Sequence, residues 1–166
     1  MARVYVSIGS NMDREHKIRS CLNVLRNTFG QLTVSRVYQT KAVGFKGDDF
    51  LNLVVGFDTD ESVDALIARL RHIEVVHGRR RDMAGFSART LDLDLLLYGD
   101  LVKRIAGVQV PRDEIVRYAF VLGPLAEIAG DCRHPVLDAT FAELWDVFDK
   151  RQAALRPIKF ELPSNL

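Results

Sequence analysis

The sequence lacks the glycine-rich motifs that usually mark phosphate or dinucleotide sites. Neither a Walker-type loop ending in Lys-Ser/Thr nor a G-x-G-x-x-G run occurs among its 166 residues. Its only cysteines, Cys21 and Cys132, have no second Cys or His at zinc spacing, so reduced, structural thiols are expected. The four histidines are scattered and no Ser-His-Asp arrangement is supported. A phosphate site in this chain would therefore be built from side chains and a metal ion.

The sequence also has little excess charge and no long apolar run. A net charge of +1 with 27% charged residues argues against a general nucleic-acid binder. No apolar stretch approaches the roughly 20 residues that span a bilayer, and the N-terminus has no signal-peptide pattern. We expect a soluble, cytoplasmic protein with no membrane or nucleic-acid partner. Its length and its 48% hydrophobic content favour a single domain over residues 1–166.

Hydrophobic periodicity predicts the order of the elements. Alternating apolar residues indicate a first strand at Val4–Ile8, which Gly9–Asn11 would end, and Asn11 or Asp13 would cap the next helix. The further predicted elements are a helix through Ile18–Phe29, a strand through Leu32–Tyr38, a strand at Asn52–Phe57, a helix through Val63–Ile73, a strand at Leu91–Tyr98, and helices at about Asp113–Ile128 and Phe141–Phe148. The order βαββαβ predicts an α+β, ferredoxin-like core with a mixed or antiparallel sheet covered by helices on both faces.

The strand at Leu91–Tyr98 carries two carboxylates in a leucine-rich run. Its alternation predicts that Leu91, Leu93, Leu95 and Leu97 share one face while Asp92 and Asp94 share the other. Residues i and i+2 of a strand lie about 6.6 Å apart, and Asp is depleted in strands. One interpretation is an exposed strand face; the favoured one is a Mg²⁺ site, since Mg²⁺ takes one or two carboxylates with water and phosphates.

A group of arginines precedes this strand. Arg79, Arg80, Arg81 and Arg89 fall within eleven residues, and guanidinium groups match phosphate oxygens. By itself the run is typical of a solvated segment after a helix. Beside the two aspartates it favours phosphoryl transfer, whose catalysis is mostly positioning and charge neutralisation.

With these motifs, the chain resembles the 6-hydroxymethyl-7,8-dihydropterin pyrophosphokinase family. The resemblance covers about Arg3 to Ile128, and its most specific part is Arg89–Asp94. The other matching segments are Tyr5–Asn11, Phe50–Asn52, Val110-Pro111, Ala119–Leu122 and Pro124-Leu125.

The resemblance implies an enzyme of folate biosynthesis that transfers diphosphate from ATP to the hydroxymethyl group of its pterin substrate and releases AMP. Two Mg²⁺ ions would be held by Asp92 and Asp94, and the catalytic residues would be Arg79, Arg89, Asp92 and Asp94. The implied pterin-binding residues are Thr40, Val43, Phe50, Asn52 and Phe120. The implied nucleotide-binding residues are Glu74, Arg79, Arg89, Arg112 and Tyr118. Small molecules are the expected partners; a monomer is expected, and a homodimer stays open.

Three positions depart from the family pattern. Arg112 stands where His is common, Tyr118 where Arg is usual, and Lys41 where Pro is common. A guanidinium does not titrate near neutral pH, so a role that needs a neutral imidazole is lost. The alternative function is therefore a divergent or noncatalytic paralogue that binds a related pterin, a nucleotide or both.

Overall fold

The elements alternate in the predicted order through most of the chain. The computed structural model describes residues 1–41, 49–78, 91–152, 155–164 and 166. The strands are β1 (Ala2–Ser10), β2 (Thr33–Val34), β3 (Val37–Thr40), β4 (Phe50–Thr59), β5 (Asp92–Tyr98), β6 (Lys103–Ile105), β7 (Val108–Val110) and β8 (Arg156–Ile158). The helices are α1 (Arg14–Phe29), α2 (Val63–Val76), α3 (Ala119–Ala129) and α4 (Phe141–Val147), with short 3₁₀ helices at Asp113–Val116 and Lys150–Gln152.

The main sheet has the strand order β5-β1-β4-β3-β8, and β2 also pairs with β4. Every pairing described within it is antiparallel. The four strands that follow the βαββαβ pattern lie in the order of a ferredoxin-like sheet, so the predicted fold class is confirmed. The hairpin of β6 and β7 forms a separate two-stranded sheet.

Helices cover both faces, as predicted. The apolar stripes of α1 and α2, including Ile18, Leu22 and Leu66, pack with Val6 and Ile8 of β1 in the first core. On the opposite face, α3 and α4 pack with Tyr5 and Val54, and Phe141 is fully buried there. Among the residues described, no helix combines the length and apolar character that crossing a bilayer requires.

Two predicted elements divide in the structure. The strand expected through Leu32–Tyr38 is two strands, β2 and β3, joined by Ser35 and Arg36. The Ser35 hydroxyl accepts a hydrogen bond from the Val54 N–H at 2.9 Å, and the backbone N–H of Ser35 donates to the Val54 carbonyl at 3.0 Å. The helix expected at Asp113–Ile128 is likewise a 3₁₀ helix followed by α3, with Tyr118 at the N-cap in an extended conformation. Strands β6, β7 and β8 are too short to show a period and were not predicted.

The ends of β1 and α1 also correct the sequence prediction. Gly9 does not end β1, because it pairs with β4 on one side and with β5 on the other, and the strand continues through Ser10. Asp13 takes the N-cap position of α1 with φ 47°, and its side chain makes no capping hydrogen bond. Asn11 is therefore not the cap. Gly30, with φ 86°, ends α1.

A β-bulge changes the alternation of β5. Tyr5 pairs with Leu97 while Val6 pairs with Leu95, so Leu96 is an extra residue on β5. Because of this extra residue, the side chains that follow it point to the opposite face of the sheet from the one that strict alternation predicts. Leu97 consequently joins the second core, and the prediction that it shares a face with Leu91, Leu93 and Leu95 is wrong.

Candidate active site

The candidate site lies across three neighbouring strands on the sheet face that α3 and α4 cover. Asp92 of β5 is paired with Gly9 of β1, and Gly9 is paired with Asn52 of β4. Residues paired across antiparallel strands point to the same face of a sheet. Since adjacent strands are about 4.8 Å apart, the Cα atoms of Asp92 and Asn52 are separated by about 10 Å. The predicted metal ligand and the predicted pterin ligand are thus brought together on one face.

Gly9 forms the floor between these two side chains. A Cβ atom placed on Gly9 would lie 3.0 Å from the Asn52 Oδ1 and 3.9 Å from the Phe50 Cδ1. The first distance is closer than ordinary van der Waals contact, so a side chain at this position would require the Asn52 amide to shift by a few tenths of an ångström. No side chain therefore rises from β1 between Asp92 and Asn52.

Asp92 and Asp94 are both half-buried on β5, between leucines that anchor the strand in the first core. Asp94 is paired with Ser7, which lies two residues before Gly9 in β1. The two carboxylates offer hard oxygen donors on one face, and this donor set fits Mg²⁺. In the described part of the chain no group of three or more His, Cys, Asp or Glu gathers as a metal site. A cation here would therefore complete its coordination with substrate oxygens and water.

Glu74 of α2 supports the strand that carries these carboxylates. Its side chain is buried, and its Oε2 accepts a hydrogen bond from the backbone N–H of Leu93 at 2.9 Å. Leu93 stands between Asp92 and Asp94, so the contact fixes the backbone of the carboxylate pair. Burial, and then the neighbouring charge of Glu74, raise the pKa of the Cys21 thiol. Cys21 therefore stays protonated inside the first core.

Arg112 lies beside the second carboxylate. Its backbone N–H donates to the carbonyl of Leu96, the bulge residue, at 2.9 Å. Its Nη2 lies 3.4 Å from the Asp94 Oδ1, and its Nε donates to the Glu114 Oε2 at 2.6 Å. The hydrogen bond to the bulge residue thus holds the segment after β7 against β5. In this position the positively charged Arg112 side chain lies next to the carboxylate pair.

A hydrogen bond orients the predicted pterin ligand Asn52. Its Nδ2 donates to the Thr40 Oγ1 at 2.6 Å, and the Asn52 side chain is 5% exposed. Thr40 is paired with Phe50, the next residue of β4 on the same face. Within the described residues, one amide N–H and the Oδ1 acceptor of Asn52 remain for another partner, which is the donor–acceptor pair that the edge of a heterocycle requires.

Tyr118 and Phe120 stack at the start of α3. Their ring centroids are 5.1 Å apart with an interplanar angle of 22°. Tyr118 is exposed, whereas Phe120 is half-buried against the second core. The structure thus places the predicted ring ligand Phe120 on the helix that covers the site face and gives it a neighbouring ring as support.

Three predicted site residues, Val43, Arg79 and Arg89, lie outside the described residues. Sequence reasoning missed the role of Gly9 as the floor of the site, although a glycine inside an alternating strand pattern signals the close approach of a neighbour. Sequence reasoning considered Asn11 only as a helix cap and missed that this residue, which directly follows β1, is a buried polar side chain. Within the described chain, neither polar atom of the Asn11 side chain has a hydrogen-bond partner.

Comparisons with known proteins agree with one another. The model of the 7,8-dihydro-6-hydroxymethylpterin-pyrophosphokinase (HPPK) family matches residues 5–130. The chain is similar to the 2-amino-4-hydroxy-6-hydroxymethyldihydropteridine pyrophosphokinase of Pseudomonas aeruginosa, with 35% identity over 80% of this chain and 84% of that protein. The protein of the same name from Aquifex aeolicus is 33% identical over 82% of this chain and 86% of its own length.

A solved structure shows the same fold. The crystal structure of a Plasmodium falciparum HPPK-DHPS triple mutant with SDX-DHP superposes with a TM-score of 0.70 at 12% sequence identity. The match covers 87% of this chain but only 41% of that protein, so this chain spans about two fifths of its length. At this identity the likeness concerns the fold alone.

Proposed function

The chain belongs to the 7,8-dihydro-6-hydroxymethylpterin-pyrophosphokinase family, and we propose that it transfers diphosphate from ATP to the hydroxymethyl group of 6-hydroxymethyl-7,8-dihydropterin. This makes it a pyrophosphokinase of folate synthesis. The hydroxymethyl oxygen forms a bond to the β-phosphorus of ATP. The bond from that phosphorus to the oxygen bridging the α-phosphate breaks, AMP leaves with that electron pair, and the hydroxyl proton is released.

The observation that carries this proposal is the row formed by Asp92, Gly9 and Asn52. A pterin lying across β1 above Gly9 presents its pyrimidine edge to Asn52 and its hydroxymethyl arm to Asp92. Thr40 orients the Asn52 amide for that contact. Phe50 and the Tyr118-supported ring of Phe120 hold the two faces of the heterocycle, since offset stacking suits a flat ring.

The acidic end of the site binds the nucleotide. We propose that Asp92 and Asp94 hold two Mg²⁺ ions, which neutralise and orient the triphosphate when bound. Glu74 keeps the intervening backbone in place through Leu93. Arg79 and Arg89, in the roles that the resemblance to the family implies, contact the phosphates and stabilise charge in the transition state. Catalysis by this set is mainly proximity and charge neutralisation.

Calorimetry paired with a product assay tests this function. Titrations with α,β-methylene-ATP and with the pterin, each in the presence of Mg²⁺, measure binding, and AMP release measures turnover. We expect wild type to bind both ligands and to release AMP. Binding without AMP release would instead identify a noncatalytic paralogue.

The pterin pose has its own pair of variants. Asn52→Leu removes the donor and acceptor of the proposed ligand, so pterin binding should be lost while the nucleotide analogue still binds. Asn27→Leu, on the exposed side of α1, makes the same change away from the site and should bind both ligands normally. Unchanged pterin affinity in Asn52→Leu would overturn the pose.

A further inference from the structure

Arg112 is shared between two carboxylates. Its Nε donates to the Glu114 Oε2 at 2.6 Å, while its Nη2 lies at the longer distance of 3.4 Å from the Asp94 Oδ1. The side chains of Arg112 and Asp94 are 25% and 44% exposed. The guanidinium is therefore held firmly by Glu114 and more loosely by Asp94, with solvent beside both groups.

This contact places a permanent cation on a proposed metal ligand. A guanidinium stays protonated throughout the physiological pH range, so Arg112 cannot release Asp94 by losing a proton. A divalent cation that binds Asp94 has to replace Arg112 or be repelled by it. Phosphate oxygens offer the guanidinium another acceptor with the geometry that arginine prefers.

We propose that Arg112 is an internal counter-ion of Asp94 that weakens cation binding to the protein alone and moves to a nucleotide phosphate when nucleotide binds. Glu114 retains the Nε contact and keeps the side chain next to the site during the exchange. This proposal rests on the proposed function, because it takes Asp94 to be a metal ligand. Its consequence is that cation and nucleotide bind with positive coupling, each raising the affinity for the other by the same factor.

Because of this coupling, the site binds nucleotide and cation together more tightly than it binds either one alone. Without nucleotide, Arg112 neutralises part of the negative charge of the carboxylate pair and thereby limits the repulsion between Asp92 and Asp94. With nucleotide, the same charge serves the phosphates. Arg112 is thus a positioning residue that makes cation binding depend on the presence of nucleotide.

Mn²⁺ binding measured by electron paramagnetic resonance tests this proposal without any turnover. Mn²⁺ is titrated into wild type, Arg112→Gln and Arg104→Gln, first alone and then with α,β-methylene-ATP at constant ionic strength. Arg104 is an exposed residue of β6, so its substitution removes the same charge without removing the contact to Asp94.

Arg112→Gln should tighten Mn²⁺ binding to the protein alone by roughly two- to fivefold, the scale of a partly exposed ion pair. The gain should disappear with the nucleotide analogue, because Arg112 has then left Asp94 in wild type as well. Arg104→Gln should change neither affinity by as much as twofold. Equal Mn²⁺ affinities in wild type and Arg112→Gln, or equal tightening in Arg104→Gln, would overturn the proposal.

Asp94→Asn separates this proposal from the function on which it rests. If Asp94→Asn lost Mn²⁺ binding while Arg112→Gln kept the Mn²⁺ affinity of wild type, Asp94 would remain a metal ligand and the counter-ion role of Arg112 would be excluded. Unchanged Mn²⁺ binding in Asp94→Asn would remove the metal site and the counter-ion role together. Thermal unfolding of each variant confirms that it is folded before the titration.

Discussion

Gly9 and Asn52 face each other across β1 and β4 so closely that a methyl group on Gly9 would lie 3.0 Å from the Asn52 Oδ1. The amide of Asn52 is also fixed from the other side by its 2.6 Å hydrogen bond to Thr40. The absence of a side chain on one strand thus sets the position of a polar group on the next. This relationship connects the pterin end of the proposed site with its acidic end.

Gly9→Ala should therefore impair pterin binding specifically. The added methyl group forces the Asn52 amide to shift, and the KM for pterin should rise about fivefold or more, the scale of one lost hydrogen bond. Mn²⁺ binding at Asp92 and Asp94 should be retained, because the methyl group meets Asn52 rather than the carboxylates. Steady-state kinetics with varied pterin, together with the Mn²⁺ titration, check this. An unaltered KM would show that Asn52 does not contact the substrate.

Asp92→Asn and Asp94→Asn should each remove activity without unfolding the protein. Asn keeps the shape of Asp and loses its charge, so kcat should fall by at least about 10²-fold, the scale of a lost electrostatic contact in the transition state. The free energy of unfolding should change by no more than about 1 kcal/mol, the scale of a partly exposed ion pair such as that of Asp94 with Arg112. The control is Asp100→Asn in the exposed turn after β5, which should retain full activity. Full activity of both site variants at limiting Mg²⁺ would exclude their role as metal ligands.

The sequence predicted the acidic face of β5 because the period of two holds from Leu91 to Leu95. It failed at Leu97 because the bulge at Leu96 arises from the pairing of β5 with β1, which no pattern within β5 reveals. Gly9 was likewise interpreted as a break, since its role depends on neighbours contributed by β4 and β5.

The contact between Arg112 and Asp94 lay beyond sequence reasoning for a similar reason. It requires the Leu96 carbonyl to be turned toward the backbone N–H of Arg112, which is a tertiary feature. In contrast, the N-cap of α2 is Ser62, a residue type that favours this position in any helix. A cap depends on local residues only, and its hydroxyl accepts the N–H of Ala65.

Tyr118 should act through the ring of Phe120. Tyr118→Ala removes the stacked neighbour of Phe120, and pterin affinity should fall by roughly two- to tenfold, the range for an aromatic pair. Tyr118→Phe keeps the ring and should retain the affinity of wild type. Calorimetric titration with the pterin distinguishes the two variants. If Tyr118→Phe weakened binding as much as Tyr118→Ala, the hydroxyl and not the stacked ring would be responsible.

His134 should make the stability of the protein depend on pH. Its Nδ1 accepts backbone N–H groups of Val136 and Leu137, both at 3.1 Å, and burial lowers the pKa of His134. The folded state thus favours the neutral ring. As the pH falls through the unfolded-state pKa of about 6.5, the unfolded chain binds a proton that the folded chain resists, and the free energy of unfolding decreases.

Urea unfolding at about pH 7.5 and about pH 5.5, on either side of that pKa, measures this effect. His134→Asn removes the titrating group, so its free energy of unfolding should decrease less than that of wild type between the two conditions. His16→Asn, at an exposed position of α1, should leave the wild-type decrease in place. An identical pH dependence in wild type and His134→Asn would contradict the assignment.

The central claim is that the site with Asp92 at one end and Asn52 at the other transfers diphosphate from ATP to the pterin. Chromatographic quantification of both products in one reaction tests it most directly. With ATP, Mg²⁺ and 6-hydroxymethyl-7,8-dihydropterin, wild type should release one AMP for each pterin diphosphate formed, and neither product should form with Asp92→Asn. Release of ADP in place of AMP, or no AMP from a wild-type protein that binds both substrates, would contradict the account.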